Sequence, residues 1–142
     1  MTVDEFTCRL PIPHARGDQQ IVVDPLAIDA QRVGGNGDRL GGHIVQGHID
    51  GVGEVAIVTE DGFARLVEII VPDGLLKYVV VKGSIAVDGV SLTVSELNER
   101  SFTVSLIPET LERTTLGAAG PGTKVNLEVD VLAKYVERLV NR

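Results

Sequence analysis

From Val52 onward, apolar and polar positions alternate in short runs. GEVAIV, FARLVEIIV, GSIAV, VSLTVSEL, SFTVSLI and KVNLEV are rich in β-branched residues and are separated by Gly, Asp, Asn and Pro. Alternation with a period of two residues marks a strand with unlike faces, and many short strands at such spacing predict an all-β barrel or sandwich. Asp88-Gly89 lies between two of the runs as a two-residue hairpin turn, where glycine accepts the positive φ that the matching turn types require. Asn98-Glu99-Arg100 closes the next hairpin in the same way. PDGLLKYVV reads as a turn over residues 72–74, then one short helix against the barrel's open end. The period changes in DVLAKYVERLV, where Val131, Leu132, Tyr135, Val136, Leu139 and Val140 gather on one helical face and Asp130 can cap the start. That stripe fits either a helix packed on its own barrel or a seam for self-association.

The first part of the chain has no such pattern. LPIPHARGDQQ and VGGNGDRLGG are broken by proline and glycine, and only IVV between them resembles a strand. Residues 1–39 therefore read as an irregular arm or linker, and residues 40–142 as the barrel with its helix. EFTCRL, residues 5–10, nevertheless echoes SFTVSL, residues 101–106, until Pro11 ends the likeness.

Composition narrows the function classes. A chain of 142 residues, 44% hydrophobic and 23% charged, has the mixture of one soluble globular domain. Its net charge of −7 argues against a phosphate-binding surface, and so against nucleic acid as a partner. The single cysteine, Cys8, excludes an internal disulfide and a cysteine zinc site. LLKYVVV, interrupted by Lys77, falls far short of the roughly 20 apolar residues of a membrane helix. With no leader pattern at the start, a cytoplasmic protein without a membrane partner is expected.

Few motifs survive inspection. GVGEVA satisfies a dinucleotide fingerprint in form, but IVTEDG follows it, a strand and turn where the motif needs a helix. GGNGDRLGG lacks the Gly-Lys-Ser/Thr ending of a phosphate loop. His43 and His48, five apart, project to opposite faces of an extended chain, so no metal site is expected. His48 and Asp50 share a face if their segment is a strand, which would let the carboxylate orient the imidazole; the alternative is a surface histidine in a polar loop. In KGSIAVDGVSLTV, residues 82–94, Ser91 and Thr93 share one face while Val90, Leu92 and Val94 share the other. The polar face is either solvated, the commoner case, or the wall of a pocket. By the same alternation Lys82, Glu128 and Asp130 are surface charges.

Taken together, GGHIVQGHIDGVGEV, KGSIAVDGVSLTV, SLIPETLERTTLG and VNLEVDVLAKYVERL closely resemble the C-terminal half of the riboflavin synthase α-chain, a family of two similar barrels in tandem. The likeness runs from Leu40 to Leu139. It implies a six-stranded antiparallel Greek-key barrel with a C-terminal α-helix that assembles a trimer. It also implies a dismutation in which one 6,7-dimethyl-8-ribityllumazine gives a four-carbon unit to another, yielding riboflavin and 5-amino-6-ribitylamino-uracil, with no metal or redox cofactor. Carried over by motif, Ser91, Leu92 and Thr93 would wall an enclosed cavity for the heterocycle and its ribityl chain, with Lys82 at the mouth. Leu106, Ile107, Pro108, Glu109, Thr110 and Leu111 would add backbone and side-chain contacts, and Gly47, His48 and Ile49 the rim. Ser91, Asp130 and His48 would serve catalysis, Asp130 pairing with Ser91 to move a proton.

The family's productive site lies between the first barrel of one subunit and the second barrel of its neighbour. Residues 1–39 do not reproduce that first barrel: MTVDEFTC is not the family's Phe-Thr-Gly start, and EFTCRL suggests only a remnant, as a truncated or frameshifted gene would leave. Two functions are therefore weighed, a riboflavin synthase and a non-catalytic lumazine- or flavin-binding barrel.

Overall fold

Strands form where the alternation predicts them: β1 (Gly51–Asp61), β2 (Ala64–Ile70), β3 (Ser84–Val87), β4 (Val90–Leu97), β5 (Ser101–Leu106) and β6 (Lys124–Val129). The structure, a computed structural model, describes residues 42–141, so the arm expected over 1–39 lies outside the described residues. Neighbouring strands are all antiparallel, and the sheet closes in the order β1-β2-β5-β4-β3-β6. β3, β4 and β5 follow one another as hairpins while β6 returns beside β3, which makes the Greek key.

The turn chemistry is as the residues dictate. Asp88 and Gly89 both hold positive φ, 49° and 78°, the backbone sense that lets a two-residue hairpin follow the strand twist. At the next hairpin, Asn98 N donates to Ser101 O at 2.8 Å. After residues 72–74 comes the expected short helix, a 3-10 turn over Leu76–Tyr78. Pro108 opens α1 (Pro108–Arg113) in the first turn, where its missing N–H costs nothing.

Inward positions fill the barrel. Val55, Val67, Ile69, Ile85, Val87, Val94, Phe102, Val104, Leu106, Val125, Leu127 and Val129 are almost wholly buried in one cluster. Gly51 and Gly53 belong to this wall and to no nucleotide loop. A Cβ at Gly53 would stand 2.9 Å from both Leu127 Cδ1 and Ile70 O, closer than side-chain carbons come.

The C-terminal helix α2 (Val131–Val140) starts at Asp130, whose Oδ1 accepts from Leu132 N at 2.9 Å. Of the two expectations for its stripe, packing on its own barrel is not realised. No residue of α2 is buried, and Leu132, Tyr135, Val136, Leu139 and Val140 are all exposed. Polar contacts hold the helix instead: Lys134 Nζ donates to Asp50 Oδ1 at 2.5 Å and Lys77 Nζ to Glu137 Oε1 at 3.0 Å. Among the described residues no helix is long and apolar enough to cross a membrane.

Candidate functional site on the outer barrel wall

β3 lies between β4 and β6, and its register sets the site. Ala86 stands opposite Ser91 on one side and Glu128 on the other, and Ser84 stands opposite Thr93. Residues in register share a face. Because Ile85, Val87, Val90, Val94, Leu127 and Val129 point inward, the row Ser91–Ala86–Glu128 and the pair Thr93–Ser84 point outward. The expected enclosed cavity is therefore corrected. Aliphatic side chains occupy the inside of this barrel, and both hydroxyls stand on the outer wall.

That wall is covered in part. Residues 42–50 cross it as an irregular strap, without ladder pairing until β1 begins. His43 Nδ1 and Ser91 Oγ are hydrogen-bonded at 2.7 Å. Gln46 N donates to Glu128 Oε1 at 2.6 Å. Asp50 N donates to Leu127 O, and Asp50 Oδ2 accepts from Val129 N, each at 2.8 Å. The strap thus runs from β4 across β3 to β6, and under it Ala86 is 1% and Glu128 4% exposed although both face outward. Two buried polar atoms here, Nε2 of His43 on the strap and Oε2 of Glu128 beneath it, have no hydrogen-bond partner among the described residues. Burying a half-satisfied carboxylate costs about 1–3 kcal/mol or more, so this is the wall's least self-sufficient point.

Beside the covered rows, α2, the Leu76–Tyr78 turn and β3 bound an open groove of about 330 Å³, lined among others by Lys77, Tyr78, Ser84, Asp130, Ala133 and Val136. Ser84 links the groove to Thr93 across the β3–β4 pair. At its edge the Glu137 carboxylate, with a smaller contribution from Tyr78, holds the Lys77 ammonium above the ordinary lysine range.

The residues singled out from sequence are distributed unevenly over this wall. Ser91, Thr93 and Asp130 reach the same outer side. Asp130 and Ser91 are not paired, however: β3 stands between their strands, two spacings or about 10 Å in all. Asp130 caps α2 and Ser91 meets His43. Gly47 (φ +71°), His48 and Ile49 lie on the strap. Since the strap is no strand, the condition for His48 and Asp50 to share a face is not met; Asp50 turns to Lys134 and β6, and His48 is exposed. Lys82 is exposed with φ +65°, its N donating to Val94 O at 2.8 Å. Leu92 packs against the core, and Leu106, 1% exposed, can offer a ligand only its backbone.

β4 and β5 pair through Val94 and Val104, and continuing that register brings Ile107 beside the entry of β4. Ile107, Pro108 and Glu109 are exposed there, while Thr110 and Leu111 are half-buried, Leu111 against the core. His43, Ser84 and Glu128 were not singled out as site residues by the sequence. Glu128 sits at an outward position of its strand, where alternation predicts a solvated charge, and only the strap contradicts that.

Comparison with known proteins agrees with this architecture. The lumazine binding domain family matches residues 46–130. The riboflavin synthase of Mycobacterium tuberculosis (strain H37Rv) is 54% identical over 116 residues, 80% of this chain and 58% of that protein. That of Bacillus subtilis is 39% identical over 115 residues, 81% of this chain and 54% of that protein. The chain thus spans little more than half the length of these curated relatives. Among solved structures, LumP complexed with riboflavin superposes with a TM-score of 0.61 at 28% identity, covering 66% of this chain and 50% of that one. LumP complexed with 6,7-dimethyl-8-(1'-D-ribityl) lumazine gives 0.58 at 26%, with the same coverage.

Proposed function

This chain belongs to the lumazine-binding domain family to which riboflavin synthases belong, and on that premise we propose that it takes part in riboflavin synthesis by binding 6,7-dimethyl-8-ribityllumazine on the outer wall of β3, β4 and β6. The reaction is the dismutation of two such molecules. Four carbons pass from one to the other, giving riboflavin and 5-amino-6-ribitylamino-uracil, with no added cofactor. The observation that carries the reading is the convergence on one outer face of Ser91, Thr93, Ser84 and Asp130 with the covered, half-satisfied Glu128.

In this scheme Ser91 and Thr93 hydrogen-bond the ligand, Lys82 borders it, and Gly47, His48 and Ile49 form the rim. Ile107 and Thr110, with the backbone of residues 106–111, close the β4 entry. Asp130, lining the groove, moves the proton of the acidic ring methyl without direct contact to Ser91. An open outer wall holds one ring, and a face from another barrel must complete a site for two. The apolar stripe of α2 supports a homo-oligomer as the source of that face, and the reading puts the protein in the cytoplasm with no nucleic-acid or membrane partner.

Incubation of the purified chain with 6,7-dimethyl-8-ribityllumazine, followed by absorbance, is expected to yield riboflavin. Undiminished turnover of an Asp130→Asn variant at saturating substrate would remove Asp130 from the scheme. The likeness to the LumP complexes favours a second reading, a binding barrel without turnover. A change in ligand fluorescence without riboflavin formation selects it.

A further inference from the structure

We propose that His43 fixes the direction of the Ser91 hydroxyl: the imidazole donates from Nδ1 to the serine oxygen, leaving the serine hydrogen to be given to a carbonyl oxygen of the bound heterocycle. This depends on the ligand-binding reading above and deepens it, because it turns an undirected hydroxyl into a donor with a required complement.

The two nitrogens of His43 have unlike surroundings. Nδ1 is 2.7 Å from Ser91 Oγ, whereas Nε2 is buried and has no partner among the described residues. A neutral imidazole has one N–H and one bare nitrogen. Were Nδ1 the bare one, the N–H would fall on Nε2, a buried donor without an acceptor. Leaving either a donor or an acceptor unmet in the interior costs about 1–3 kcal/mol, and of the two an orphaned N–H is the rarer. With the proton on Nδ1, only a lone pair goes unmet.

Ser91 Oγ then accepts from the ring, and its one O–H has no acceptor given to it among the described residues. The side chain is half-buried on the outer face of β4. A hydroxyl so placed recognises an acceptor atom. A pteridine-dione ring presents such atoms in its carbonyl oxygens. His43 need not touch the ligand; it is a positioning residue that acts through Ser91.

The test is titration with 6,7-dimethyl-8-ribityllumazine, followed by the ligand's fluorescence and absorption band. Ser91→Ala is expected to weaken binding about 10-fold and shift the band, the loss of one hydrogen bond. His43→Gln is expected to follow it in both. His43→Asn, whose amide N–H can stand near the Nδ1 position, is expected to stay within about 3-fold of the parent with the parent's band. The His43→Ala/Ser91→Ala double variant should bind no worse than Ser91→Ala alone. Losses that multiply in the double variant, or rescue by Gln in place of Asn, overturn the inference and leave the ligand reading intact. Ser91→Ala binding like the parent overturns the inference and takes Ser91 out of the ligand contacts, whereas a parent chain that leaves the ligand's fluorescence and band unchanged overturns the ligand reading itself. Should His43→Ala fail to fold, the Asn and Gln variants, alike in chemistry, still decide.

Discussion

Glu128 and Leu139 lie on consecutive elements, β6 and α2, and each stands on the unexpected side of the water boundary: the carboxylate is 4% exposed and the leucine 59%. The strap accounts for the first. Residues 42–50 cover the wall and supply one hydrogen bond to the carboxylate, from Gln46 N, while its second oxygen has none among the described residues. Among the described residues nothing covers the second. The covered region is small and polar, with two buried atoms whose hydrogen-bonding capacity is unmet among the described residues. The uncovered region is a ten-residue helix with five large apolar side chains in water, the chemistry of a protein–protein seam. One fold thus carries two incomplete surfaces, and they call for different complements.

Breaking the uncovered surface gives the largest expected effect. Burying a large apolar side chain contributes about 1.5–3 kcal/mol, so the stripe can offset the several kcal/mol that association costs. Leu132→Glu/Leu139→Glu is expected to weaken self-association at least about 100-fold by sedimentation, since each charge would have to be buried in the seam. The unfolding midpoint of the dilute chain should hardly move, because neither residue is buried in it. A parent chain that sediments as a monomer at micromolar concentration breaks the comparison outright.

The covered surface responds in the opposite way. Glu128→Gln keeps an acceptor for Gln46 N and removes the buried charge, but its amide NH2 takes the place of the unmet oxygen, so the two effects offset and urea unfolding should change by less than about 1 kcal/mol. Glu128→Ala strands the Gln46 N–H and should lose about 1–3 kcal/mol. Equal losses in both variants would mean that the carboxylate is content where it is. Asp130→Ala touches both surfaces by uncapping α2, and about 1 kcal/mol of stability, seen with a loss of helical circular dichroism, is the expected result.

The same division governs what could be read in advance. Alternation located all six strands, and turn and cap residues such as Asp88, Gly89 and Asp130 marked where elements end, because these signals are local. It also put Ser91 and Thr93 on one face, with the apolar partners opposite. Which face borders a ligand is not local information: the enclosed cavity failed because the apolar side fills the barrel. The burial of Glu128 depends on a residue 82 positions earlier, and the orientation of Ser91 on one 48 positions earlier. Alternation within a strand has no access to such contacts, so His43 read only as half of a rejected metal pair and Glu128 as a surface charge.

Lys82 gives the smallest effect and the sharpest test of whether the covered side gives up stability for function. Its φ of +65° is a conformation that glycine adopts freely, and Gly83 beside it has no room for change, since a Cβ there would lie 2.6 Å from Val80 Cγ2. A lysine is therefore held where a glycine would be easier, next to the β4 residues assigned to the ligand. Lys82→Gly keeps the backbone bond to Val94 O and relieves the left-handed strain, so a gain of about 0.5–1 kcal/mol on unfolding is expected. Binding of 6,7-dimethyl-8-ribityllumazine should weaken at the same time, because the ammonium at the edge of the site is gone. Gain in stability with unchanged binding would make the strain incidental. Loss of stability would show that the lysine stem packs well enough to outweigh its backbone, and Lys82 would then belong with the scaffold.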